Sequence, residues 1–76
     1  MVTVFTLPSC PQCDTTKRFL KREGIEYSEV DLSQDEAAYA EVKELGYTAA
    51  PVVRAGEEHW SGFRLEKLRG LVDKAA

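Results

Sequence analysis

Both cysteines of this chain stand three positions apart in the stretch "LPSCPQCD", residues 7–14, immediately after a run of β-branched and aromatic residues. At i and i+3 of a helix, side chains share a face about 5–6 Å apart, within the Cα separation that a disulfide tolerates. Cys10 and Cys13 can therefore bond to each other. Closing so small a ring contributes only about 2 kcal/mol by loop entropy, less any strain. A small domain in need of a staple gains more by joining distant segments. The pair reads better as a bond that opens and closes than as a structural cross-link.

The pattern around the pair is a coherent one. Val2 to Thr6 alternates β-branched and aromatic residues and stops at Leu7-Pro8-Ser9, which predicts a first strand followed by a loop. A helix then begins at Cys10. Pro11 suits its first turn, where a backbone N–H would be unpaired anyway, and Thr16, Phe19 and Leu20 form a face opposite Lys17, Lys21 and Arg22. Gly24 supplies the stop. Glu26 to Leu32 predicts a second strand, and Ser33 and Glu36 have capping-box spacing for a second helix with the stripe Ala38, Val42 and Leu45, ended by Gly46. After the loop "YTAAP", the runs "PVVRA" and "EEHW" flank Gly56-Glu57, a two-residue hairpin turn. Ser61 and Gly62 open a last helix with Leu65, Leu68 and Val72 on its buried side. Gly70 inside it costs about 1 kcal/mol relative to Ala and weakens its final turn.

Strand, helix, strand, helix, strand, strand, helix implies an α/β fold with a four-stranded mixed sheet and helices on both faces, the layout of thioredoxin-like proteins. Seventy-six residues with 43 % apolar content suffice for one such domain, residues 1–76. A net charge of −3 argues against general affinity for nucleic acid or anionic membrane surfaces. The start "MVTVFT" lacks the basic and apolar regions of a secretory signal, and nothing approaches a membrane span, so the expected location is cytoplasmic. In a reducing compartment a close cysteine pair is metal-binding or catalytic more often than structural.

The fold would put the pair beyond the carboxyl end of the first strand, at the amino end of the first helix, where sites in open α/β sheets gather. A free cysteine with pKa about 8.5 is only a few per cent thiolate at neutral pH. Unpaired amides of Gln12 and Cys13 and the positive end of the helix dipole would favour the thiolate of Cys10, whereas Cys13, a turn deeper, gains more burial. Cys10 is thus the expected nucleophile and Cys13 the resolving thiol. Asp14 opposes ionisation of Cys13, and Lys17 and Arg18 partly offset it.

Other candidates carry plainer readings. Pro51 most simply opens a strand in trans, since cis bonds are about 5–6 % of those before proline. Trp60 and Phe63 are most simply core aromatics. His59 with the two cysteines makes three metal ligands where a closed zinc site needs four, so no metal site is assigned.

"CPQC", "TAAP" and, above all, "HWSGFR" at residues 59–64 resemble the NrdH-redoxins, small glutaredoxin-like proteins of bacteria, along nearly the whole chain. The resemblance implies a thioredoxin fold, a cis Ala50-Pro51 bond facing the dithiol, and no bound cofactor. It implies electron donation to a class Ib ribonucleotide reductase, recharging by thioredoxin reductase with NADPH, and a monomer. It places Pro11 and Gln12 on the active-site helix, and Ala50, Pro51, Trp60, Ser61, Gly62, Phe63 and Arg64 at the partner-binding edge. Pro11 stands where an aliphatic residue is usual, and Leu65 where the motif commonly continues with proline. Pro11 keeps a second reading open, a glutathione-dependent glutaredoxin. A third is a dimer bridging an iron–sulfur cluster through Cys10.

Overall fold

The computed structural model describes residues 2–75, with side chains described through Val72. The elements are β1 (Val2–Thr6), α1 (Pro11–Arg22), β2 (Tyr27–Asp31), α2 (Glu36–Glu44), β3 (Val52–Ala55), β4 (Glu58–Ser61) and α3 (Leu65–Ala75). The sheet runs β2-β1-β3-β4, with β1 parallel to β2 and antiparallel to β3, and β3 antiparallel to β4. This is the mixed four-stranded sheet of a thioredoxin fold, as the element order implied.

Alternation along the strands divides the core in two. Val2, Val4, Val53 and Trp60 face α1 and α3, meeting Phe19, Leu20, Leu68 and Leu71. Phe5 and Val52 face the other way, onto Leu32 and the Ala38 and Val42 side chains of α2. Val4, Leu20, Val52, Val53 and Leu68 are fully buried. Each such side chain contributes about 1.5–3 kcal/mol relative to an exposed one, which is how so short a chain can offset its ordering entropy.

The helix ends follow from local chemistry. Glu23 caps α1, Gly24 adopts φ 71°, and the amides of Gly24 and Ile25 return to the carbonyls of Lys21 and Leu20 at 3.2 and 2.9 Å. Gly46, at φ 92°, ends α2 the same way: its amide and that of Tyr47 bond the carbonyls of Lys43 and Val42. In both cases the residue after glycine turns inward to the core, Ile25 on one face of the sheet and Tyr47 on the other.

Several boundaries differ from expectation. The cap of α2 is Asp35, whose Oδ1 accepts from the Ala38 amide at 3.0 Å, not Ser33. Ser33 instead donates through its hydroxyl and amide to Asp31 Oδ1, at 2.6 and 2.8 Å, making the turn out of β2. Ser61 is the last residue of β4 rather than the start of α3, which begins at Leu65. On α3, Leu65 and Val72 are partly buried against the core as expected, Leu71 joins Leu68 as a buried residue that the pattern did not name, and the helix runs through Gly70. Cys10 is the residue before the first helical turn and not part of the turn itself. Gly56 and Glu57 form the hairpin turn between β3 and β4, as their spacing predicts.

Candidate redox site

The site is built where β1 hands over to α1. Thr6 ends the strand, Pro8 and Ser9 turn the chain, and Ser9 takes φ 57°, unusual for a residue with a side chain. That turn delivers Cys10 with extended backbone, φ −114° and ψ 101°, as the N-cap of α1, with Pro11 next in the helix. Cys10 Sγ accepts a hydrogen bond from the Cys13 amide at 3.1 Å. The sulfur occupies the place where an N-cap oxygen usually sits, receiving one of the amides that a helix start leaves unpaired. Cys10 and Cys13 are joined as a disulfide, Cα atoms 5.2 Å apart. Cys13 is 1 % exposed, whereas Cys10 is only partly buried. One sulfur can be approached from outside and the other cannot.

Facing the pair is the loop between α2 and β3. The Ala50-Pro51 peptide is cis, where residue pattern alone favours trans and only the resemblance implies cis. Three contacts pin this loop to β4 and its end. The Ser61 hydroxyl donates to the Ala49 carbonyl at 3.0 Å, and the Gly62 amide to the Pro51 carbonyl at 2.8 Å. The Tyr47 hydroxyl lies 2.8 Å from His59 Nδ1 and 3.2 Å from the His59 carbonyl, which it approaches as a donor. His59 is thereby occupied as part of the loop's anchorage. Between the loop and α1 runs an open groove of about 470 Å³, lined by residues 7–12 and 48–50, with Cys10 on its wall. A smaller apolar pocket of about 70 Å³ continues from it beneath Leu7 and Tyr39, two large side chains that are 37 % and 50 % exposed. The larger open groove, about 730 Å³, follows residues 25–29 at the outer edge of β2 and holds neither cysteine.

The residues named from sequence separate into two groups. Cys10, Pro11, Gln12 and Ala50 line the groove, with Pro51 buried behind it. Ser61 acts on that wall through its hydroxyl and Gly62 through its amide, in the contacts above. Trp60, by contrast, is 4 % exposed and packs with Val53 in the α1–α3 core, its Nε1 buried without a hydrogen-bond partner among the described residues. It takes the plain reading of a core aromatic. Phe63 is partly buried against the same cluster, and the Phe63 amide donates to Gln12 Oε1 at 3.3 Å, tying the loop before α3 to the active-site helix. Arg64 is exposed, its Nε 2.6 Å from Glu66 Oε1.

Among the described residues, those that line the groove are uncharged. The cation one turn below Cys13, Lys17, is shared between Asp14 at 3.7 Å and Glu29 at 3.0 Å. The hydrogen bond to Glu29 raises its pKa above the usual lysine value, against a smaller opposing effect of burial. The buried Thr6 hydroxyl also donates to Glu29, at 3.2 Å. This Thr6, Glu29 and Lys17 chain escaped the sequence reading, because its members lie on three elements and nothing in their spacing links them. Leu7 and Tyr47 were missed too, although an apolar residue just before a CxxC and a tyrosine just after a helix-ending glycine are both visible signals.

The glutaredoxin family model matches residues 2–60. Among curated proteins, the chain is 34 % identical to the glutaredoxin-like protein NrdH of Salmonella typhimurium, over 92 % of this chain and 86 % of that one. It is also 34 % identical to the NrdH protein of Lactococcus lactis subsp. cremoris, over 93 % and 99 %. Among solved structures, NrdH-redoxin of Escherichia coli, a glutaredoxin-like protein with a thioredoxin-like activity profile, superposes with a TM-score of 0.89 at 31 % identity, covering 92 % of each chain.

Proposed function

This chain belongs to the glutaredoxin family, with NrdH proteins among its relatives, and is a thiol–disulfide oxidoreductase; on that premise we propose that it is the hydrogen donor of a class Ib ribonucleotide reductase, recharged by thioredoxin reductase with NADPH. The observation that carries the reading is the asymmetry of the pair, a half-open Cys10 that takes a helix-start amide and a closed Cys13.

In the reduced protein, the Cys10 thiolate attacks one sulfur of the partner's disulfide. The partner's S–S bond breaks, a partner thiolate leaves and takes up a proton, and a Cys10–partner mixed disulfide remains. Cys13, as thiolate, then attacks Cys10 Sγ, expelling the second partner thiolate. Two electrons have passed to the partner and the Cys10–Cys13 disulfide has formed. The amide of Cys13 and the end of the α1 dipole stabilise the negative sulfur of Cys10 in the first step and as leaving group during recharging. The Ala49-Ala50 backbone opposite offers main-chain groups to an extended partner segment, as sheet-like recognition uses them. Ala50, Pro51, Ser61, Gly62 and Phe63 are the residues that shape this edge, with Arg64 at its rim.

The thioredoxin-like activity profile of the Escherichia coli relative supports recharging by thioredoxin reductase. Pro11 at the first helical position supports the rival, a glutathione-dependent glutaredoxin. A coupled assay of ribonucleotide reduction separates them. Turnover with NADPH and thioredoxin reductase, without glutathione, is the expected result; turnover only with glutathione and its reductase would overturn the proposal.

A further inference from the structure

We propose that Gln12 is a specificity-determining residue, whose carboxamide donates through Nε2 to a main-chain carbonyl of the partner's disulfide-bearing segment and so favours peptide disulfides over those without peptide groups. This deepens the reading above and rests on it.

The two ends of a glutamine carboxamide differ chemically, and here the structure tells them apart. The Phe63 amide can only donate, so the atom 3.3 Å from it is the acceptor Oε1, and Nε2 is the opposite end. A residue in the active-site helix is thus held by a contact spanning 51 positions of sequence. Gly62 lies beside it: a Cβ built there would stand in ordinary contact with Gln12 Oε1, at 3.5 Å, and it is the backbone at φ 86° that favours glycine. Gln12's own carbonyl accepts from the Thr16 hydroxyl at 2.9 Å, one turn along the same helix. Among the described residues Nε2 has no acceptor, and Gln12 is exposed on the groove that also holds Cys10.

Those facts together make an anchored, unused donor on the groove that Cys10, Ala49 and Ala50 also line. An extended peptide lying in that groove can pair with the Ala49-Ala50 backbone and also meet Nε2. With the described residues on the groove all uncharged, neutral donors and acceptors are what they offer to a backbone. A disulfide without peptide groups has no such carbonyl to offer and gains nothing from Gln12.

The test compares wild type with Gln12→Met, which keeps length but removes both polar atoms, and Gln12→Glu, which keeps an acceptor for the Phe63 amide and replaces the donor. Pre-reduced protein is mixed in single turnovers with insulin, a peptide disulfide, or with bis(2-hydroxyethyl) disulfide, which has no peptide group. The readout is the ratio of the two efficiencies, so that any effect of the Glu charge on the thiol itself cancels. One lost neutral hydrogen bond corresponds to about a twofold to tenfold fall in that ratio. The expected result is such a fall in both variants, carried by a higher half-saturating insulin concentration. An unchanged ratio in either variant overturns the proposal. Failure of wild type itself to reduce either disulfide would overturn the oxidoreductase reading instead.

Discussion

The Ser61 hydroxyl donates to the Ala49 carbonyl at 3.0 Å, fastening the segment that faces the dithiol to the end of β4. The next residue repeats the connection through its backbone, Gly62 N–H to the Pro51 carbonyl. The edge of the groove opposite Cys10 is therefore tied to the sheet at two points. Ser61→Ala is expected to lower unfolding free energy by about 0.5–1.5 kcal/mol in urea titrations, the worth of one hydrogen bond. It should also raise the half-saturating concentration of a protein disulfide, with the limiting rate of thiol exchange kept. An unchanged stability and saturation curve would mean that the loop holds its position without Ser61.

The unequal exposure of the two cysteines assigns them different fates on substitution. Cys10→Ser should abolish disulfide reduction. Cys13→Ser should retain the first attack and accumulate a mixed disulfide with the partner, visible by mass spectrometry as a covalent adduct released by added thiol. Adduct formation through Cys13 in the Cys10→Ser variant would reverse the assignment.

Trp60 separates core from interface directly. Buried at 4 % exposure between Val53 and the helices, it should cost about 3–5 kcal/mol when replaced by Ala, enough to unfold much of so small a protein. Trp60→Phe, which keeps most of the volume and removes the buried N–H, should fold and show a smaller loss by urea titration. A surface anchor would behave otherwise, with stability unchanged in both variants and only partner binding weakened.

Two ion-linked contacts give opposite pH signatures. Glu29 raises the Lys17 pKa above 10.5, so this pair contributes stability fully below 10.5 and loses it as pH rises through the folded-state value. Glu29→Gln should be less stable than wild type at neutral pH, and the gap should close in strongly alkaline solution. Asp31 is held below its ordinary 3.8 by hydrogen bonds from the Ser33 hydroxyl, then the Ser33 amide. Its contribution is present above 3.8 and disappears as pH falls through the lower folded value. NMR titration of Asp31 should move toward 3.8 in Ser33→Ala; no movement would remove Ser33 as the cause.

Much of this molecule can be read from its order of residues. β1, the Pro11 start and Gly24 stop of α1, the Gly56-Glu57 hairpin turn and the positions of the cysteines all follow from local propensity, which acts within a few neighbours. What escaped depends on contacts between distant segments. Ser33 and Asp35 both qualify as caps by type, and the choice falls to Asp35 because Ser33 is drawn to the carboxylate of Asp31. Leu71 and Val72 are adjacent and both apolar, so only the angle at which α3 meets the sheet decides which is the more deeply buried. The Gln12–Phe63 contact and the Thr6, Glu29 and Lys17 chain join elements far apart in sequence, and no periodicity reports them.

The account turns on the ionisation of Cys10 at the start of α1, and that can be followed by thiolate ultraviolet absorbance in the Cys13→Ser variant, where it is the only thiol. The expected midpoint lies below the value of about 8.5 for a free cysteine, with reactivity toward an alkylating agent rising over the same pH range. A midpoint at or above that value would show that the helix start does not sustain the anion, and the proposed order of attack would fall with it.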